Sequence, residues 1–175
     1  MRKTILKYGL ISGLLCAAML AAVTPLENRP GFEHGYLTGY TLIVLSFLLV
    51  FFGIRSYRDN ASGGRLTFAR GLAVGILISL LSNCFYVATW EVVSYKFMPD
   101  FAEKYAGQMV EHAKSSGASQ QKIDETARQA ADFVRNYHNP LYKISMTFLE
   151  PFPVFLVITL VSAAILRKKS SPVPA

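Results

Sequence analysis

Four long apolar runs constrain the fold of this chain more than any other feature of its sequence. They cover about residues 4–23, 36–54, 72–95 and 141–166. A helix needs about 20 such residues to cross the ~30 Å hydrocarbon core of a bilayer. Backbone polar groups find no water inside lipid, so a membrane-spanning run of this kind folds as a helix. The sequence, 52% hydrophobic and 17% charged, therefore predicts an all-α fold, a four-helix transmembrane bundle within a single integral membrane domain, residues 1–175.

The first run has an alternative interpretation as a cleaved signal peptide. Arg2 and Lys3 precede it, and it contains the small-residue stretch "AAMLAA". Both features are typical of secretory signals. The run is long for the apolar core of a signal peptide, so we expect a retained span.

The basic residues predict the orientation. Ten of them lie in the N-terminal segment, the link between spans two and three, and the C-terminal segment: Arg2, Lys3, Lys7, Arg55, Arg58, Arg65, Arg70, Arg167, Lys168 and Lys169. By the positive-inside rule these three segments, and with them both termini, are cytoplasmic. Topology thus accounts for the net charge of +7. The sequence has no soluble module in which basic and aromatic residues alternate, so it does not predict binding to nucleic acid.

The segment between spans three and four is polar and predicts two helices within about residues 99–139. Phe101, Tyr105 and Met109 recur at four-residue spacing, and a second helical pattern begins at Ile123. The intervening "SSGAS" supplies a glycine stop and an N-cap at Ser119. We therefore expect an extracytoplasmic helical hairpin, which is either a solvated amphipathic pair or a partner-binding surface.

Two spans carry faces of small residues at four-residue spacing, which let helices approach closely in lipid. The members of these faces are Gly9, Gly13, Ala17 and Ala21 in span one, and Gly71, Gly75 and Ser79 in span three. We expect them to pack within the bundle, with homodimerisation as the alternative.

Two carboxylates stand out because they lie in apolar runs, in "SNCFYVATWEVVSY" and "FLEPFPVF". By helical rise Glu91 lies roughly 30 Å above the cytoplasmic level and Glu150 about 24 Å. Glu91 then reaches headgroups or water at the outer interface. Glu150 remains inside the hydrocarbon, where an ionisable group usually faces the bundle interior. Pro151 and Pro153 remove backbone donors beside it and predict a kink.

Two interpretations of Glu150 remain open. In the first, Glu150 bonds a polar side chain of span three or Thr147 and fixes helix packing. In the second, Glu150 and freed backbone carbonyls bind a proton or cation, as broken helices do in transporters. The candidate polar site comprises Glu150, Glu91, Asn83 and Tyr86.

Signatures of catalysis, cofactor binding and metal binding are absent from the sequence. The three histidines have no ligand spacing, and Cys16 and Cys84 both fall within spans. The chain also lacks a phosphate-binding glycine loop and a nucleophile elbow. We therefore expect a protein that is not an enzyme and needs no cofactor.

Four blocks resemble a known family: "FFGIRSYRDN", "GGRLTFARGLAVG", "FYVATWEVVSYKFMPDF" and "FLEPFPVFLVITLVSAAILRKK". They are similar to the bacterial membrane family known as domain of unknown function 4199, and the similarity extends from span one through span four. The resemblance implies a four-span bacterial protein and no particular activity, substrate or site.

The sequence thus favours a non-enzymatic accessory or interaction subunit of the bacterial cytoplasmic membrane. Its expected partners are the lipid bilayer and either a second copy of the chain or another membrane protein. The alternative is a small transporter or channel component that uses Glu150.

Overall fold

The computed structural model describes residues 1–27 and 35–168. In these two stretches the regular structure consists of helices: α1 (Arg2–Glu27), α2 (Gly35–Ala61), α3 (Phe68–Phe97), α4 (Phe101–Ser115), α5 (Gln120–Tyr137), α6 (Pro140–Leu149) and α7 (Phe152–Leu166). The prediction of an all-α protein is confirmed.

Three stretches of the described chain are long and apolar enough to cross a membrane. They are Arg2–Thr24, Phe68–Phe97 and Pro140–Leu166, and they correspond to the first, third and fourth predicted spans. The second predicted span lies in α2, which is not among the three. By length and composition these three stretches could span a membrane, which is consistent with a membrane protein, and the fourth span stays a prediction.

The chain forms two compact units. The first comprises Met1–Trp90 and Phe148–Ala175, and the second comprises Glu91–Thr147. The first unit contains α1, α2, most of α3 and α7, whereas the second contains α4, α5 and most of α6. The single integral membrane domain expected from the sequence stays a prediction.

Small residues bring the helices of the first unit into close contact. A Cβ added to Gly13 would lie 2.6 Å from a ring carbon of Phe85, and one on Gly9 would lie 2.6 Å from Leu81. These distances are below van der Waals contact, so α1 rests on α3 where only glycine fits. The expectation that the small-residue face of α1 packs within the chain is confirmed at these two positions.

The small-residue face of α3 packs in the same way against α7. A Cβ on Gly75 would lie 2.5 Å from Thr159 Cγ2 and 2.8 Å from Ile54 Cδ1. One turn further along, Ser79 Oγ lies 3.4 Å from Thr159 Oγ1. α2, α3 and α7 therefore meet at Gly75.

Hydroxyl groups are buried in the first unit and large apolar side chains are exposed on it. Ser12 Oγ donates to the Ser46 carbonyl at 2.8 Å and lies 3.1 Å from Ser82 Oγ, which joins α1, α2 and α3. The outward-facing residues of this unit are large and apolar, among them Leu10, Leu14, Leu45, Leu48, Phe52, Val157, Val161 and Ile165. Such an arrangement suits a surface in contact with lipid, because lipid tails solvate apolar groups and cannot satisfy polar ones.

The second unit is built around α4 and α5, which pack against each other. α4 ends at a turn in which Gly117 has φ +71°, a left-handed conformation that glycine adopts without strain. Ser119 is the N-cap of α5 and accepts a hydrogen bond from the Lys122 N–H, as the sequence predicted. Four aromatic rings join the two helices, with centroids 5.1–5.9 Å apart: Phe101, Tyr105, Phe133 and Tyr137.

Candidate functional site at the break between α6 and α7

The candidate site lies where the fourth predicted span is interrupted. α6 ends at Leu149 and α7 begins at Phe152, so Glu150 and Pro151 lie in a turn between the two helices. The cause is local, because Pro151 and Pro153 have no backbone N–H to continue the helix. The helix resumes with the Phe155 N–H donating to the Pro151 carbonyl at 3.0 Å.

Two side chains of α3, one turn apart, contact this break. Asn83 Nδ2 donates to the Phe148 carbonyl at 2.8 Å. Tyr86 Oη donates to the Glu150 carboxylate at 3.0 Å. Since residues three apart share one face of a helix, α3 holds both the end of α6 and the first residue of the turn. Pro151 and Pro153 would deprive the carbonyls of Thr147 and Leu149, four residues earlier, of their helical donors, whereas the carbonyl that Asn83 engages is that of Phe148.

Asn83 is the most deeply buried member of the candidate site, with none of its surface exposed. Its Oδ1 atom is buried and has no hydrogen-bond partner among the described residues. An unsatisfied buried polar atom costs about 1–3 kcal/mol. The bond from Nδ2 to the Phe148 carbonyl therefore fixes the orientation of the amide while leaving one acceptor unused.

Tyr86 and Glu150 differ in their burial. Tyr86 is buried, at 7% exposure, so it faces inward. Glu150 reaches α3 through one carboxylate oxygen, but the residue as a whole is exposed. Its carboxyl group can thus fix the packing of the break against α3 although other atoms of the residue lie at the surface of the first unit.

Glu91 belongs to the second unit and has a partner there that the sequence did not suggest. Its Oε2 lies 3.2 Å from Lys143 Nζ, and the two side chains are only 32% and 15% exposed. The same ammonium group lies 5.6 Å from the ring centre of Tyr137, within the range of a cation–π contact. Glu91 Oε1 is buried and unpaired among the described residues. Glu91 thus has a partner within the protein, and its expected contact with headgroups or water stays a prediction.

Each carboxylate of the candidate site has its own partner, which is Tyr86 for Glu150 and Lys143 for Glu91. A signal for the second pair was present in the sequence. Lys143 lies at the end of the fourth run that we expect to be extracytoplasmic, whereas the positive-inside rule places basic residues at the cytoplasmic end. A lysine there needs a reason, and a nearby carboxylate is the simplest one.

Metal chemistry has no support in the described part of the chain, where no group of three or more His, Cys, Asp or Glu residues is placed to hold an ion. The chemical capacity of the break is that of a hydrogen-bonded carboxylate beside a buried amide. It can stabilise an interrupted helix or hold a proton.

A family model described as "Protein of unknown function (DUF4199)" matches residues 7–168. No curated protein and no solved structure matches the chain. The matched region contains all the residues of the candidate site and nearly the whole sequence, and the chain accordingly belongs to the DUF4199 family.

Proposed function

We propose that this chain is a four-span protein of the bacterial cytoplasmic membrane that acts as a non-enzymatic accessory or interaction subunit. The observation that carries the membrane assignment is the apolar surface of the first unit together with its buried, hydrogen-bonded hydroxyl groups. Ser12 bonds the Ser46 carbonyl and the Ser82 hydroxyl in the interior, and leucine, valine and isoleucine cover the outside. A surface of that kind is stable in lipid and would aggregate in water.

The second span of the proposal is α2. This helix has 27 residues, about 40 Å at the usual rise, which exceeds the thickness of the hydrocarbon core. It packs against α1 and α7, both of which lie in candidate spans. One face, with Phe47, Val50 and Ile54, is buried, and the opposite face is apolar and exposed. A helix between two spanning helices, with a second apolar face, is best accommodated by crossing the membrane beside them.

The interaction role is assigned to α4 and α5, which we propose lie outside the membrane as the expected hairpin. Only three residues of the two helices are buried, Ala102, Ala106 and Ala130. Most of their ion pairs, such as Lys122–Glu125 at 2.9 Å, run within a helix. A contact of 3.5 Å between His138, at the end of α5, and Glu103 of α4 is the exception. A shallow groove of about 360 Å³ between them exposes Met109 and Ala113. Another protein chain with an apolar side chain would fit this surface.

The experiment is site-specific photo-cross-linking in intact cells. A photoreactive residue at Met109 lies in the groove, whereas a matched one at Glu111 lies on the same helix outside it. We expect one discrete protein adduct from position 109 that is absent from position 111. Adducts of equal yield from both positions, or lipid adducts alone, would contradict an interaction role for this groove.

A second function, a small transporter or channel component, is supported by one observation. Glu150 is exposed at a proline-interrupted helix although its carboxylate also bonds Tyr86. Glu150→Gln keeps an acceptor for Tyr86 and removes the ionisable group. If Glu150 carries a proton or cation, this variant loses a transport or growth phenotype at unchanged protein abundance. If Glu150 only fixes packing, Glu150→Gln is silent and Glu150→Ala lowers stability.

A further inference from the structure

One end of the first unit is closed by a short backbone bridge. The Leu66 N–H donates to the Lys168 carbonyl at 3.1 Å, and the Lys168 N–H donates to the Leu66 carbonyl at 2.9 Å. This antiparallel bridge ties the link between α2 and α3 to the end of α7. Residues that are far apart in the sequence are thereby brought together beyond the ends of two candidate spans.

The bridge rests on a well-packed base. Leu66 and Leu166 are only 2% and 4% exposed. A Cβ on Gly71 would lie 3.2 Å from the Ala163 Cβ, so α3 and α7 are in close contact just inside the bridge. The packing of α3 and α7 therefore fixes the backbone at the bridge.

Four basic residues surround the bridge, and all four are exposed: Arg65, Arg70, Arg167 and Lys168. Arg65 precedes the bridged Leu66, and Arg70 lies in the first turn of α3, where its N–H bonds Thr67 Oγ1 at 3.3 Å. None of the four forms an ion pair with a residue that the structure describes. We call these four residues the basic cluster.

The nearby acidic residue does not neutralise the basic cluster. Asp59 lies 2.7 Å from Arg58 and 3.7 Å from Arg55, so two other arginines already share its charge. The hydrogen bond from Arg58, with smaller contributions from the charges of Arg58, Arg55 and Lys168, lowers the pKa of Asp59. The link from Arg55 to Arg70 contains no other acidic residue. Among the described residues, one shared carboxylate therefore leaves the basic cluster with an excess of positive charge, which an anionic group from outside the chain can meet.

The cluster's position indicates the source of that counter-charge. α3 begins at Phe68 and α7 ends at Leu166, so the cluster lies immediately beyond the apolar part of both candidate spans, at the level of lipid headgroups. Each basic residue near an anionic membrane surface strengthens association, and basic pockets between spans bind phosphorylated headgroups. We propose that the basic cluster binds the phosphate headgroup of an anionic phospholipid. This inference rests on the membrane assignment proposed above.

The test compares lipids on the purified full-length protein in detergent. Phosphatidylglycerol and phosphatidylcholine compete for the protein, and native mass spectrometry measures which lipid is retained. We expect selective retention of phosphatidylglycerol. Arg65→Gln with Arg167→Gln should reduce its affinity roughly 25-fold, about fivefold for each residue. The control, Arg128→Gln with Arg135→Gln, removes the same charge from α5 and should bind phosphatidylglycerol like the unmodified chain.

Three results would overturn the inference. They are equal retention of both lipids, equal losses in the two double variants, and displacement of phosphatidylglycerol by inorganic phosphate, which would identify a site for the free anion. Failure of the membrane assignment itself looks different, because the chain would then be recovered in solution without detergent. If the protein folds in phosphatidylcholine nanodiscs but does not prefer anionic lipid, the membrane assignment stands and only the proposed headgroup site is refuted.

Discussion

Gly75→Ala is the substitution whose effect follows most directly from the packing of the first unit. The added methyl would lie 2.5 Å from Thr159 Cγ2 and 2.8 Å from Ile54 Cδ1. Both neighbours are fully buried, and Thr159 is β-branched, which restricts its rotation. Neither can move away without displacing α7 or α2, so the methyl overpacks the contact among three helices.

The expected cost is about 1–3 kcal/mol, the usual range for overpacking a close-packed core. Alanine also favours a helix over glycine by up to ~1 kcal/mol, so Gly75→Ala needs a control that shares this gain. Gly107→Ala supplies it, because Gly107 lies in α4 with nothing within 4 Å of an added Cβ. At about 2–4 °C per kcal/mol for a chain of this size, Gly75→Ala should melt roughly 2–12 °C below Gly107→Ala in detergent.

A rescue variant makes this reasoning refutable. Thr159→Ser removes the methyl that meets the new side chain and keeps the hydroxyl that lies 3.4 Å from Ser79 Oγ. The double variant Gly75→Ala, Thr159→Ser should therefore recover part of the lost melting temperature. If the two substitutions are simply additive, or if Gly75→Ala melts no lower than Gly107→Ala, α3 and α7 do not pack as described.

Three further substitutions test other contacts by thermal unfolding in detergent. Lys143→Met leaves the partly buried Glu91 without its partner. The expected cost of about 1–3 kcal/mol lies between the costs of breaking an exposed and a fully buried ion pair. Adding Glu91→Gln should restore stability, and a double variant that is no more stable than Lys143→Met would contradict the pairing. Asn83→Ala leaves the Phe148 carbonyl unpaired, at about 1–3 kcal/mol, but also removes the unpaired Oδ1, so the net loss, which includes the cavity, should be about 1 kcal/mol; a higher melting temperature would contradict that bond. Ser119→Ala removes the N-cap of α5 and should cost about 1 kcal/mol. The control Ser115→Ala changes the last residue of α4, which caps no helix N-terminus, and should be near neutral.

The helices could be predicted from the sequence because their signals are local. Long apolar runs gave α1, α3 and the α6–α7 segment, and the serine and glycine between α4 and α5 gave the turn and cap. The interruption at Glu150 also followed from local chemistry, since two prolines remove the donors that a continuous helix needs. The spacing of Gly9, Gly13 and Gly75 indicated close helix contacts and, in outline, where they occur.

The partners of particular side chains could not be predicted in the same way. Periodicity places Asn83 and Tyr86 on one face of α3, but which carbonyl meets that face depends on how the interrupted helix is displaced. The pairing of Glu91 with Lys143 joins residues 52 positions apart. Helical rise gives the height of each residue along its own helix, but not the direction in which its side chain points, so it could not predict this pair. No pattern in the sequence predicts the bridge between Leu66 and Lys168.

The central claim is that the chain crosses the membrane four times and that its N-terminus is cytoplasmic. Thiol accessibility tests this claim most directly. Single cysteines are introduced at Lys3, Ser62 and Ser116 in a background of Cys16→Ala and Cys84→Ala, and intact cells are treated with a membrane-impermeant thiol reagent. Four spans with a cytoplasmic N-terminus predict that position 116 is labelled while positions 3 and 62 are both protected until the membrane is permeabilised. Labelling that differs between positions 3 and 62 would show that α2 does not cross the membrane and would contradict the four-span account.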